Sequence, residues 1–241
     1  MRVLVVTAVP VERDAVTRAF TDRPQVLDVP GAELHRAGPV DVVAGGAGPA
    51  AAAATAACAL ASGAGSGAEP YGLVVSAGIG GGFAPAAPVG SLVVASGIVA
   101  ADLGAETPEG FVPVTALGFG RDRFVPPPAR VRDVAAATGA LAGDVLTVST
   151  VTGSAERAAA LRTAHPHAAA EAMEGFGVAE AAERLGVPVL EIRAVSNAVG
   201  PRDRDAWRIG DALAALTEAF GKLTPVLEGW TTHHDRHHRH R

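Results

Sequence analysis

The chain of 241 residues has a single cysteine, Cys58, so it can form no internal disulfide and offers no thiolate cluster for zinc. Aromatic residues make up only 4% of it, which leaves packing to Val, Leu, Ala and close backbone approach among 29 glycines. No apolar run of about 18 residues escapes interruption by Gly, Pro or charge, so a membrane span is not expected even though 49% of residues are hydrophobic. A dominant charge is missing too. The net charge of −5 supplies no broad basic field, which argues against nucleic acid or an anionic membrane as a partner and leaves small molecules. The opening MRVLVVTAVPVERD sets Glu12, Arg13 and Asp14 where a secretory signal would still need apolar length. With one lone thiol, that reading favours a cytoplasmic location.

What is present has the rhythm of an α/β protein. Buried strand patterns at residues 3–7, 40–44, 73–77, 91–100, 145–151, 168–173 and 189–195 alternate with helical patterns. The helical patterns cover residues 12–20, 50–61, 128–138, 154–163, 175–185 and 211–223, with Ser154 as an N-cap. Such alternation predicts a layered α/β domain. Residues 63–69 read as a flexible loop, 78–82 as a glycine-rich mouth after a strand, and 101–128 as a long loop or insertion. One domain over residues 1–225 is expected, followed by a His/Arg-rich tail, 226–241, read as disordered. Five of the eight histidines lie in that tail, where no second shell would fix a metal, so no metal site is predicted.

Two clusters carry chemistry. Glu171-Ala172-Met173-Glu174-Gly175-Phe176-Gly177 puts a carboxylate at the end of an apolar strand and the start of a helix, where Glu174 could merely favour the helix dipole. In Glu191-Ile192-Arg193-Ala194-Val195-Ser196-Asn197, a charged Arg193 interrupts a buried strand and therefore needs a partner or a ligand.

Taken with the first strand, these clusters resemble a known set. Glu12, Val75-Ser76-Ala77-Gly78-Ile79-Gly80-Gly81, Ala172-Met173-Glu174-Gly175 and Arg193-Ala194-Val195-Ser196-Asn197 are similar to the successive motifs of the purine nucleoside phosphorylase and methylthioadenosine nucleosidase superfamily, over about residues 1–220. Within it, RAVSNAVGPRDRDAWRIG at 193–210 looks most like the futalosine hydrolases. The resemblance implies a nucleoside phosphorylase-like, three-layer α/β/α sandwich with a mixed central sheet. It also implies hydrolysis of the N-glycosidic bond of futalosine with release of hypoxanthine, in the futalosine route to menaquinone. No cofactor is implied, and a homo-oligomer is, either a dimer or an assembly of dimers.

Cleavage of that bond develops an oxocarbenium-like ribosyl cation and an anionic purine, so opposite charges must be stabilised and a nucleophile delivered. By resemblance, Glu12 activates the water, with Ser76 and Arg193 holding it, while Glu174 binds the ribose hydroxyls and Met173 packs near the sugar. Ala77, Gly78, Val151, Thr152, Ser196 and Trp207 are likewise implied as substrate contacts. Asn197 would face the N7 edge. A 6-oxopurine offers acceptors at N7 and O6, which an amide NH2 matches, whereas adenine offers a donor at N6. The adenine nucleosidases of the superfamily carry Asp at this position, and Asn cannot act as a general acid. For the far end of futalosine, an aryl carboxylate, the arginines of Pro201-Arg202-Asp203-Arg204-Asp205-Ala206-Trp207-Arg208 are candidates, with Trp207 for the ring.

Three other readings compete. Phosphorolysis would use the same fold, but Thr7-Ala8-Val9-Pro10-Val11-Glu12 stands where a phosphate motif would be, although Arg193 and the 78–82 loop could hold an anion. Gly46-Ala47-Gly48-Pro49-Ala50-Ala51 fits a loose dinucleotide pattern, yet it follows the second strand and not the first. A non-catalytic purine-binding module would not need both Glu12 and Glu174.

Overall fold

The computed structural model describes residues 2–20, 23–65 and 70–238. Its strands are β1 (Arg2–Thr7), β2 (Gln25–Val29), β3 (Ala32–Ala37), β4 (Val40–Ala44), β5 (Tyr71–Gly82) and β6 (Leu92–Ala100). They continue with β7 (Gly104–Thr107), β8 (Gly110–Pro113), β9 (Arg123–Phe124), β10 (Leu141–Thr147), β11 (Ala168–Ala172) and β12 (Val189–Ala198). The helices are α1 (Pro10–Thr17), α2 (Pro49–Gly65), α3 (Pro128–Thr138), α4 (Ala155–Ala164), α5 (Gly175–Arg184) and α6 (Ile209–His238).

Among the described residues one mixed sheet runs β11-β10-β6-β12-β5-β1-β4-β3-β2, with β9 paired to β6. Two-residue periodicity explains why its central strands are apolar throughout. Val3 and Val5 belong to a core shared with Val16, Val131, Leu216 and Phe220 of α1, α3 and α6. Leu4 and Val6 face the opposite core, built with Ala52, Ala56, Val178 and Ala182 of α2 and α5. A strand buried on both faces has no polar side to show. The three-layer α/β/α architecture with a mixed sheet expected from the sequence is therefore the one observed.

A closure within this sheet places the functional residues. Strand β5 pairs with β12 over nine residues and also, antiparallel, with β11 through Gly81↔Glu171 and Gly82↔Ala170. The strands β11, β10, β6, β12 and β5 thus join into a ring.

Several boundaries differ from the sequence reading. Residues 78–82 are not a mouth but the second half of β5, because pairing on both edges keeps even a glycine run extended. The hairpin β2–β3, turning at Gly31 with φ of 80°, was not legible because its strands mix charged with apolar residues. The segment 101–128 holds the β7–β8 hairpin and β9, the latter tied down by Arg123 on the buried Asp144 at 2.7 Å. Strand β10 begins at Leu141 and ends at Thr147, so 148–153 is a loop, after which Ser154 accepts the N–H of Arg157 as the expected N-cap.

The boundary drawn at residue 225 falls inside α6, which continues through Pro225 to His238. Leu227 is buried in the core, and Trp230 donates to Asp133 at 3.0 Å with Arg130 over its ring, so the helix stays docked past that point. Of the loop expected at 63–69, residues 63–65 end α2, and residues 66–69, like 239–241, lie outside the described residues. No helix among the described residues is long and apolar enough to cross a membrane.

Candidate active site

A cavity of about 270 Å³ opens where β1, β5, β11 and β12 end. Glu12, Glu174 and Asn197 all line it, as do Val151, Thr152, Met173, Ser196 and Trp207. Ser76, Ala77, Gly78 and Arg193 do not. Arg193 and Gly78 stand behind the wall against Glu174 and Glu12, Ser76 stands behind Arg193, and Ala77 lies in the core.

Glu12 sits in the first turn of α1 and reaches back to the chain entering that helix. Its Oε2 accepts the N–H groups of Ala8 (2.9 Å) and Val9 (3.2 Å), and its Oε1 accepts the N–H of Ile79 (2.9 Å). A carboxylate has about four lone-pair sites, and three are engaged here; one is left for a molecule in the cavity. Burial raises the Glu12 pKa above the usual carboxylate value, against the opposing pull of the Ile79 N–H and the Arg193 charge. A buried carboxylate with a raised pKa and one open lone pair is built to take a proton from water.

Arg193 is the hub that the sequence said must have partners. It is 1% exposed. Its Nε donates to Glu191 at 2.9 Å, Nη1 lies 3.2 Å from Glu174 Oε2, and Nη2 donates to Ser76 Oγ at 2.9 Å. Burial alone would lower its pKa, but Glu191, Glu174 and Glu12 together raise it. Gly78 explains itself in this light. A Cβ there would stand 2.6 Å from Glu12 Oε1 and 2.8 Å from Arg193 Nη1, so only glycine lets the carboxylate and the guanidinium approach. Ser76 orients the arginine, and Ala77 is a core residue.

Glu174 is the N-cap of α5, yet its side chain makes no capping hydrogen bond. It accepts instead from Gly48 N–H and Met173 N–H, each at 3.3 Å, and meets Arg193. The helix-dipole explanation therefore does not exhaust its role, since the carboxylate is turned to the cavity. Glycines 46 and 48, which suggested a dinucleotide motif, have φ of 90° and 94° and bring the start of α2 to Glu174.

Two carboxylates escaped the sequence reading. Glu191 is fully buried beneath Arg193, with burial pushing its pKa up to about 7, and its Oε2 has no hydrogen-bond partner. Glu171 lines the cavity itself and takes both donors of Thr152, the backbone N–H at 2.8 Å and Oγ1 at 2.5 Å. Thr152 thus holds Glu171, and its own donors are engaged. The alternation of charged and apolar residues in 168–174 and 189–197 was the available signal for both.

On β12, Ser196 Oγ donates to Asn197 Oδ1 at 2.9 Å, and one Asn197 N–H goes to the Ala198 carbonyl at 3.0 Å. This leaves a second amide N–H for a ligand. At the outer rim Arg202 lies over the Trp207 ring, 5.2 Å from its centroid, and both line the cavity, whereas Arg204 belongs to the short 3-10 turn beside them and does not. Arg202 is the one cationic residue among those lining the cavity, against three glutamates. Among the described residues no group of His, Cys, Asp and Glu side chains is arranged to hold a metal ion.

The phosphorylase superfamily model matches residues 3–227. A futalosine hydrolase of Streptomyces coelicolor is 66% identical over 97% of this chain and 99% of its own. A futalosine hydrolase of Acidothermus cellulolyticus is 42% identical over 91% and 89%. Among solved structures, a 5′-methylthioadenosine/S-adenosylhomocysteine nucleosidase from Colwellia psychrerythraea, in complex with adenine, superposes with a TM-score of 0.77. That pair shares 23% identity and covers 92% of this chain and 96% of the other, which is a likeness of fold.

Proposed function

The chain belongs to the phosphorylase superfamily and, within it, to the futalosine hydrolases, and from that premise we propose how its cavity acts on futalosine. It is an N-glycosidase that hydrolyses the bond between hypoxanthine and the ribose of futalosine. Dehypoxanthine futalosine is the second product, and the step belongs to the futalosine route to menaquinone.

The observation that carries the mechanism is the single open lone pair on buried Glu12. A water held there gives its proton to Glu12 as it attacks the anomeric carbon. Glu174, fixed by Arg193 and by the Gly48 and Met173 N–H groups, accepts the ribose hydroxyls and favours the developing ribosyl cation. Met173 packs against the sugar. The free N–H of Asn197 binds the N7 and O6 edge of the departing base, whose proton comes by way of water because an amide has none to give.

Phosphorolysis fits poorly for an electrostatic reason. A phosphate nucleophile would enter a cavity lined by Glu12, Glu171 and Glu174, while Arg193 has its donors directed to Glu191, Glu174 and Ser76. Base release is therefore expected at the same rate with and without phosphate, giving the free sugar. A ribosyl phosphate that appears only when phosphate is added would reverse this assignment.

The Arg202–Trp207 pair at the rim suits the aryl carboxylate of futalosine. Arg202→Ala is expected to raise KM for futalosine about 10-fold, the scale of a lost charge-assisted hydrogen bond, while leaving KM for inosine unchanged. Equal effects on both substrates would move the carboxylate site elsewhere. Exposed Phe111, Leu117, Phe119 and Val125 in the 101–125 segment support a homo-oligomer, a dimer or an assembly of dimers, that covers apolar side chains of this segment. The lone thiol suits a cytoplasmic location.

A further inference from the structure

Glu171 has a place in the cavity that the hydrolytic mechanism does not use. It is buried, it lines the cavity, and its strand register sets it opposite Asn197. Gly81 of β5 pairs with Glu171 of β11 on one side and with Asn197 of β12 on the other. The two side chains therefore flank one glycine across two strand spacings, about 10 Å. A Cβ on Gly81 would stand 2.9 Å from Val199 Cγ2 and 3.3 Å from Asn197 Nδ2, and one on Gly80 would stand 2.8 Å from the Glu171 carbonyl oxygen, so glycine at both positions lets these strands and side chains approach.

The donors and acceptors at the two sides are opposite. Asn197 presents an N–H, the one its bond to the Ala198 carbonyl leaves over, while the Ser196 hydroxyl donates to its carbonyl oxygen. Glu171 presents only acceptors. Of its roughly four lone-pair sites, two are occupied by Thr152 and two remain. A 6-oxopurine carries acceptors at N7 and O6 and a donor at N1–H, so it matches donor with acceptor at both ends. A 6-aminopurine carries a donor at N6 and an acceptor at N1, and so it meets Asn197 with a donor and Glu171 with an acceptor.

We infer that Glu171 is a specificity-determining residue that accepts the N1–H of a 6-oxopurine, with Asn197 reading the N7 and O6 edge and Thr152 holding Glu171 in place. This deepens the proposed function and rests on it for the reacting substrate.

The test compares wild type, Glu171→Gln and Glu171→Ala on futalosine, its 6-amino analogue and its N1-methyl analogue, with calorimetric binding of hypoxanthine, 1-methylhypoxanthine and adenine alongside. Gln retains an oxygen for the Thr152 N–H but turns an NH2 toward the base. It is expected to shift the kcat/KM ratio of 6-oxo to 6-amino substrate toward the latter by at least about 10-fold, and hypoxanthine binding against adenine in the same direction. N1-methylation should impair wild type by about 10-fold or more and make little difference to Glu171→Ala. Were Glu171 only a prop for the 148–153 loop, both substrates would fall together in each variant and the ratios would not move, which would overturn the inference. So would wild type that accepts the N1-methyl compounds as readily as their parents. The binding measurements keep the two claims apart. A wild type that prefers hypoxanthine through Glu171 but cleaves no nucleoside contradicts the reaction and upholds the base site, whereas a wild type that cleaves futalosine with unchanged preference in Glu171→Gln does the reverse.

Discussion

Glu12→Gln is expected to lower kcat on futalosine by at least about 10²-fold, the usual scale for a positioned general base. The amide keeps the size of the carboxylate and one acceptor oxygen, so the fold is expected to persist, with only one of the backbone N–H contacts of Ala8, Val9 and Ile79 weakened. What it loses is the ability to take a proton. The pH profile separates this from a packing effect. Burial holds the wild-type Glu12 pKa above the ordinary glutamate value of 4.5, and a base works only when deprotonated. Wild-type kcat/KM must therefore fall as pH drops through that raised value, and the residual activity of Glu12→Gln must lack this limb. Glu174→Gln should lose activity on the same scale through weaker stabilisation of the cation, yet keep the acid limb, because Glu12 is still present. Turnover near wild type by purified Glu12→Gln would remove it from the mechanism.

Arg193→Met is expected to have the largest effect on stability. It leaves Glu191, Glu174 and Glu12 buried around a site with no positive charge. Breaking a buried ion pair by deleting one partner costs about 3–5 kcal/mol. At about 2–4 °C of Tm per kcal/mol for a domain of this size, the variant should melt roughly 10 °C lower. The loss must depend on pH with a definite sign. The Glu191 carboxyl already titrates near 7 in the presence of the arginine, and without it rises further, so the folded variant binds protons that the unfolded chain releases. A group with a raised folded-state pKa gives stability at low pH that is lost as pH rises through that value. The gap in Tm between wild type and variant is therefore expected to be wider at pH 8.5 than at pH 5.5. A variant equally stable at both, or within about 1 kcal/mol of wild type, would show that the arginine is not the counter-ion of this cluster.

Much of the site was legible because its chemistry is local in the chain. Glu12 and Glu174 follow apolar strands and open helices, and a residue at the end of a parallel strand meets the cavity wherever the sheet lies. Arg193 betrayed itself as a charge within a buried run, and Asn197 as the polar end of that run. The parts misplaced by sequence reasoning are those where local composition was overruled by partners distant in the chain. Ser76, Ala77 and Gly78 were implied as substrate contacts by the resemblance, and the strand was ended at Ala77 because the glycines of 78–82 suggest a turn, but β5 continues to Gly82 under the pairing of its two neighbours. The tail was divided from the domain at 225 because its composition changes there, whereas Leu227 and Trp230 still find partners on the core and on α3.

By itself, then, the sequence determined the α/β layering, through the two-residue and 3.6-residue periods of its apolar positions, and singled out Glu12, Glu174 and Asn197 as the candidate groups for breaking an N-glycosidic bond. Which side chains face the substrate was decided only by the tertiary structure. In a strand a shift of one residue turns every side chain to the other face, and the register is set by partners far away in the chain. It is the antiparallel closure of β11 on β5 that turns Glu171 into the cavity across Gly81 from Asn197, and the pairing of β12 with β5 that sets Arg193 beside Ser76 and behind Gly78. No local pattern encodes either contact, because each joins segments about 90 or more residues apart whose meeting depends on the curvature of the whole sheet.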